Sequence, residues 1–345
     1  MNGLVSRATA AVADPVLEAT VVPSFSRVGY VARHRLDAWE EPAAGSMAGR
    51  VVVVTGATGG LGGAMAAALA RLGATVWLLG RNRDRTDWLA GQIRADVPGA
   101  VLKVAVADLA RLSDVHAVAD TLLAGSESLD VLVHNAGALM GRYEATVDGL
   151  ETTAQVHVVA PFLLTSLLLP RLRATPGSRV ITVSSGGMYT QRLDVGALTP
   201  DPASFNGVKT YASAKRAQVV LAQGWARRTA GSGVAFHVTH PGWVDTPGLR
   251  ASLPRFARLM GPLLRSPQQG VDTIVWLASS AAGAHGDGQL WHDRRARSTV
   301  RLPWTATPDG EADRLWEWTS ANAGRSLHSG DHAVTPVATT GRVQR

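Results

Sequence analysis

Four consecutive valines, Val51 to Val54, run directly into Thr55-Gly56-Ala57-Thr58-Gly59-Gly60-Leu61-Gly62 and then into an alanine-rich stretch. A continuous β-branched run is what a strand covered on both faces requires. Helix-length sequence immediately after it makes the first half of a crossover to a parallel neighbour. Glycines at the junction let the backbone turn tightly and approach a pyrophosphate. The free N–H groups and partial positive charge of the helix start can then hold that anion. This one junction predicts an α/β fold built around a dinucleotide loop.

The alternation continues downstream. Strand candidates follow at Thr75–Leu79, Val101–Val106, Val131–Val133, Arg179–Val183 and Val234–Thr239. Between them lie helix-length stretches at Leu61–Leu72, Leu112–Leu123, Leu150–Leu172 and Tyr211–Arg228. Six or more strands at this spacing fill one Rossmann-type, doubly wound parallel sheet in a single main domain, residues 49–306. Residues 1–48 read as an N-terminal arm with a short helix over Arg27–Trp39, which can pack on the core or lie on a membrane surface. Residues 307–345 read as a short helix, Gly310–Thr319, followed by a loose tail after Ser320.

Composition narrows the function. Hydrophobic residues at 46% and charged residues at 18% supply a large core, which excludes disordered, collagen-like and coiled-coil chains. Cysteine is absent, which excludes disulfide scaffolds, thiolate zinc sites and thiol nucleophiles; no metal site is expected. The net charge of +7 comes from scattered arginines, since Lys occurs only at 103, 209 and 215. Without a basic stripe or interleaved aromatics, no nucleic-acid partner is expected. Met1 to Ala13 lacks a basic start and a long apolar run, which favours the cytoplasm. The uncharged stretch Thr152–Pro170 carries Gln155, His157 and Pro161 and reads as a buried helix.

Past the second strand, Gly80-Arg81-Asn82-Arg83 offers guanidinium groups and no acid before Asp84. An acid there would accept from a ribose 2′-hydroxyl, whereas arginine suits a 2′-phosphate, so NADP(H) is favoured and NAD(H) stays open. Tyr211 and Lys215 stand four apart on one helix face. A nearby ammonium is expected to bring the phenol down from about 10. Ser184 and Ser185 end a buried strand at its carboxyl end, where open α/β sheets bind their ligands.

Taken in this order, residues 49–303 resemble the short-chain dehydrogenase/reductase family. The resemblance implies cofactor contacts at Thr55, Gly56, Thr58, Gly60, Leu61 and Gly62, at Arg81 and Arg83, and at Asp108 on the adenine side. It implies further contacts at Asn135, Ala136 and Gly137, at Tyr211 and Lys215, and at Pro241, Gly242, Val244 and Thr246. Ser185, Tyr211 and Lys215 match the family's catalytic set. Two departures stand out: His134 where a further Asn is frequent, and His157 where a catalytic Asn kinks the helix and holds a relay water. An imidazole at 157 can carry a relay or simply satisfy a carbonyl. The expected activity is hydride transfer between nicotinamide and a carbonyl or secondary alcohol. The pocket would be lined by Leu139, Met140, Met188, Tyr189 and Trp243–Met260, which suits a lipophilic substrate. The alternative is an NADPH-binding sensor or scaffold without turnover. Homodimers through the helices at 152–170 and from Tyr211 are also possible.

Overall fold

A computed structural model describes residues 13–324; the start of the arm and the tail beyond 324 lie outside the described residues. After a short helical turn at Val21–Phe25, the elements in chain order are α1 (Arg27–Leu36), β1 (Val51–Thr55), α2 (Gly60–Arg71), β2 (Thr75–Gly80), α3 (Arg83–Asp96), β3 (Leu102–Val106), α4 (Leu112–Gly125) and β4 (Val131–His134). The chain continues through α5 (Thr152–Ala174), β5 (Arg179–Val183), α6 (Gly207–Arg228), β6 (Ala235–Thr239), α7 (Pro247–Ser252) and α8 (Pro254–Met260). It closes with α9 (Pro267–Ser279), β7 (Asp287–His292), β8 (Arg295–Arg297) and α10 (Glu311–Gly324).

The eight strands form one sheet in the order β3-β2-β1-β4-β5-β6-β7-β8, parallel except for the last pair. Every residue of β5 and β6 is buried, as expected for strands covered on both faces. One face packs on α2 and α9 through Met65, Leu69, Val271 and Ile274, and the other on α4, α5 and α6 through Leu122, Leu164 and Ala217. The strand order reverses between β1 and β4, so a crevice opens beyond their carboxyl ends. All six expected strands are present within a residue or two. The α5 stretch is long and apolar enough to cross a membrane, but two thirds of its most apolar window is buried against the sheet and its neighbours.

The ends of the chain depart from expectation. Helix α1 stops at Leu36, three residues short, where Ala38 takes a left-handed φ of 44°. The C-terminal helix runs on to Gly324 because it is docked. Trp316 packs edge-on to Phe162 and Trp225 at 4.9 Å, Leu315 is fully buried, and Glu311 accepts from the Val195 amide at 2.7 Å. It thereby packs across α5 and α6. The arm packs on the core through buried Phe25 and Arg33.

Candidate active site

At the β1–α2 junction the glycines do the work their positions suggest. Gly56 has φ +67° and lies so near Ala136 that a Cβ would stand 2.7 Å from its Cα. A Cβ on Gly62 would collide with the Gly56 carbonyl, and Gly60 has φ +54° opposite the Thr246 methyl. Thr55 is fully buried and shapes the loop from beneath. Its hydroxyl accepts from the Asn135 and Ala136 amides at 2.9 and 3.0 Å. The Asn135 amide group donates in turn to the Thr55 and Gly56 carbonyls at 2.9 and 3.3 Å. These bonds tie the loop to the end of β4. The result is a cradle without side chains, open at the N-terminus of a twelve-residue helix, and it fits a dinucleotide pyrophosphate.

Of the other expected contacts, Thr58 abuts Gly80 at the end of β2, where Arg81 stands exposed. Arg83 pairs with Asp87 at 3.0 Å along the exposed face of α3. Asp108 accepts from the Ala110 amide at 3.0 Å and remains half-buried after β3. Leu61 and Val244 meet over Gly270, while Thr246 caps α7 through the Leu249 amide at 3.1 Å. Pro241 and Gly242 form the turn after β6, with Gly242 at φ +79°.

Ser185 follows β5, and Tyr211 and Lys215 lie one turn apart on α6, which Asn206 caps by accepting from the Lys209 amide. The Lys215 ammonium donates to the Val183 carbonyl at 2.8 Å and lies 5.5 Å from the Tyr211 ring centre. Burial pushes Lys215 down to about 7. Burial also raises the Tyr211 phenol, and a hydrogen bond with Ser185 pulls only partly the other way. The expected lowering of the phenol is therefore not delivered by the protein alone, because desolvation dominates. Val183 is the one acceptor of the ammonium among the described residues, so two of its three N–H donors are left for hydroxyls bound alongside. That donor set fits a nicotinamide ribose.

His157 sits inside a π-turn, Gln155–Val159, that interrupts α5. Such turns release a carbonyl from its helical partner. Here the freed His157 carbonyl accepts from the Gln218 amide at 2.8 Å. The imidazole packs on Gly137, lies edge-on to Tyr211 at 5.4 Å, and places Nε2 3.1 Å from the Ala138 amide and 3.0 Å from its carbonyl. Burial and the Lys215 charge hold it well below the usual imidazole range. Of the two roles left open for it, these contacts favour the second: His157 clamps the 137–138 segment. His134, with Nε2 2.8 Å from the Thr165 hydroxyl, lines the same cavity of about 30 Å³ as His157 and Gln218.

A non-titrating side chain that can still bond the 138 peptide should substitute for this clamp. His157→Asn is expected to lower kcat by less than about tenfold, whereas loss of a proton carrier removes about 10²-fold or more. The pH profile of kcat is the check. Disappearance of an inflection between about pH 5 and 8 would return a proton-carrying role to His157.

Among the residues expected to line the pocket, Leu139, Met140, Trp243 and Phe256 are half-buried, and Leu259 is 80% exposed. Met188 and Tyr189 pack in the core cluster with Phe25. Met188 is fully buried and the Tyr189 hydroxyl donates to the Ser298 carbonyl at 2.9 Å, because the 3₁₀ turn after Ser185 rotates both into the core.

The profile of the short chain dehydrogenase family matches residues 50–255. Dehydrogenase/reductase SDR family member 12 of Bos taurus is 37% identical over 271 residues, covering 78% of this chain and 84% of the relative. Retinol dehydrogenase 14 of Mus musculus is 34% identical over 289 residues, covering 79% and 85%. The Pseudomonas aeruginosa RhlG/NADP active-site complex superposes with a TM-score of 0.59 at 26% identity, covering 73% of this chain and 96% of that one. Matched over well more than half its length by the family profile, and carrying Ser185, Tyr211 and Lys215 where its own fold brings them beside a glycine cradle, the chain belongs to the short-chain dehydrogenase/reductase family.

Proposed function

We propose that this oxidoreductase uses NADP(H) to interconvert a carbonyl and a secondary alcohol on a lipophilic small molecule. The observation that carries the reading is the convergence of Ser185, Tyr211 and Lys215 at the carboxyl end of β5, beside the glycine cradle. Nicotinamide, when bound, supplies or accepts the hydride at the substrate carbon. Ser185 hydrogen-bonds the substrate oxygen and steadies its developing charge. Tyr211 gives that oxygen a proton in reduction and takes it back in oxidation, with Lys215 orienting ribose hydroxyls.

Exposed Arg81 supports a 2′-phosphate, as does NADP in the RhlG complex. The paired rings of Trp243 and Phe256 and the exposed Leu259 support an apolar substrate, as do relatives named for retinol. Titration of the purified chain with NADPH and NADH side by side, followed by tryptophan fluorescence, tests the cofactor. NADPH is expected to bind at least about tenfold tighter, a difference of 1.4 kcal/mol. Arg81→Ala should erase that preference while leaving NADH unchanged. Equal binding of the two nucleotides overturns the 2′-phosphate role.

A further inference from the structure

The N-terminal arm lies outside the stretch matched by the family profile, yet its packing reaches the residue next to Ser185. Arg33 and Arg265, each 1% exposed, both bind the carboxylate of Asp293, at 2.7 and 2.6 Å. Asp14 pairs with Arg33 on its far side at 2.7 Å and also takes Arg297 at 2.7 Å. Both buried guanidiniums also point donors at one short piece of backbone. Arg33 Nη1 reaches the Ser24 carbonyl at 3.2 Å and Arg265 Nη2 reaches it at 2.9 Å. Arg265 Nε reaches the Phe25 and Ser26 carbonyls at 3.1 Å, and the Trp243 amide donates to the Phe25 carbonyl at 2.8 Å. Asp293 and Arg294 occupy left-handed backbone at φ 53° and 54°, so the β7–β8 turn is held in a disfavoured conformation that aims this carboxylate inward.

What the clamp holds in place is the Phe25 ring, 4% exposed and edge-on to His240 at 4.3 Å and to Trp243 at 5.9 Å. Position 186 is a glycine, and a Cβ there would stand 2.8 Å from Phe25 Cε2 and 2.9 Å from His240 Nε2. The ring therefore fills the notch that Gly186 opens immediately after Ser185. The Phe25 carbonyl likewise lies 2.7 Å from where a Cβ of Gly242 would be, just past the Pro241 turn.

We propose that Phe25 is a positioning residue for Ser185: the arm carries its ring into the Gly186 notch and so fixes the backbone that aims the Ser185 hydroxyl. The inference rests on the reading that Ser185 works on the substrate oxygen. Full-length Phe25→Ala and Phe25→Leu are compared, with NADPH and decanal as probes. Phe25→Ala is expected to lower kcat about tenfold with the NADPH Kd within about twofold, and Phe25→Leu to recover most of the loss. In a Ser185→Ala background, Phe25→Ala should subtract nothing further. An undiminished kcat, or the same tenfold loss in both backgrounds, overturns the proposal. Amide exchange of residues 184–189 is followed in parallel and should quicken in Phe25→Ala but not in Phe25→Leu. Unchanged exchange overturns the positioning role whether or not decanal is reduced. A parent chain that binds NADPH and reduces no carbonyl overturns the functional reading instead.

Discussion

Tyr211→Phe is expected to lower kcat by about 10³-fold, close to 4 kcal/mol of barrier, with NADPH affinity within about twofold. The substitution deletes one hydroxyl and keeps the ring. The edge contact with His157 and the position of Lys215 over the ring need no phenolic oxygen, so α6 and the cradle stay as they are. What is lost is the group that Ser185 bonds and that the proposed mechanism gives the proton. Steady-state NADPH oxidation and fluorescence titration on the same preparation separate the two effects. A fall in NADPH affinity to match kcat would make Tyr211 a cofactor-binding residue only, and retained turnover would remove it from the chemistry.

The second large effect is on stability. Five histidines, 134, 157, 237, 240 and 292, are buried and held below the ordinary imidazole value of 6.5. Burial is the leading cause for each and takes His134 down to about 3 and His292 to about 4. Below pH 6.5 the unfolded chain binds protons that the folded chain refuses, so stability falls with falling pH until the folded values are reached. At pH 5, His134 alone withdraws about 2 kcal/mol, a sizeable part of the usual 5–15 kcal/mol of a domain, and the other four act in the same direction. Asp14 and Asp293, held well below the usual carboxylate range by hydrogen bonds and charge from their arginine and histidine neighbours, withdraw theirs only below about pH 4. Urea unfolding at pH 7.5, 6 and 5 should show midpoints dropping steadily. A flat series across that range would mean that these imidazoles are hydrated in the folded chain.

The parallel strands were legible because burial on both faces leaves an unbroken apolar run, as in Val51–Val54 and Arg179–Val183. The β7–β8 hairpin was not. Asp287–His292 alternates exposed and buried residues, mixes Gly288 and Gln289 among them, and is stabilised by a charged turn whose partners lie far along the chain. Helix α9 did carry a local signal, the reciprocal cap between Ser266 and Gln269, which reads before an apolar run without any structure. The order of Ser185, Tyr211 and Lys215 was readable, but their protonation was not, since burial decides it and burial is a tertiary property. The same holds for Met188 and Tyr189, whose facing depends on one 3₁₀ turn.

The pairing of Arg33 with Asp293 spans 260 positions. During synthesis the arm emerges long before its docking turn, 260 positions later. The sheet from β1 to β6 can close before the arm has anything to dock against, so arm closure comes late in folding. Long-range contacts of this kind slow acquisition of the native state. Until that closure, Phe25 stays unburied, and the Gly186 notch beside Ser185 is unfilled. On this account the nascent chain reaches a nucleotide-binding core before it reaches a working enzyme, and refolding from urea should restore NADPH binding ahead of turnover.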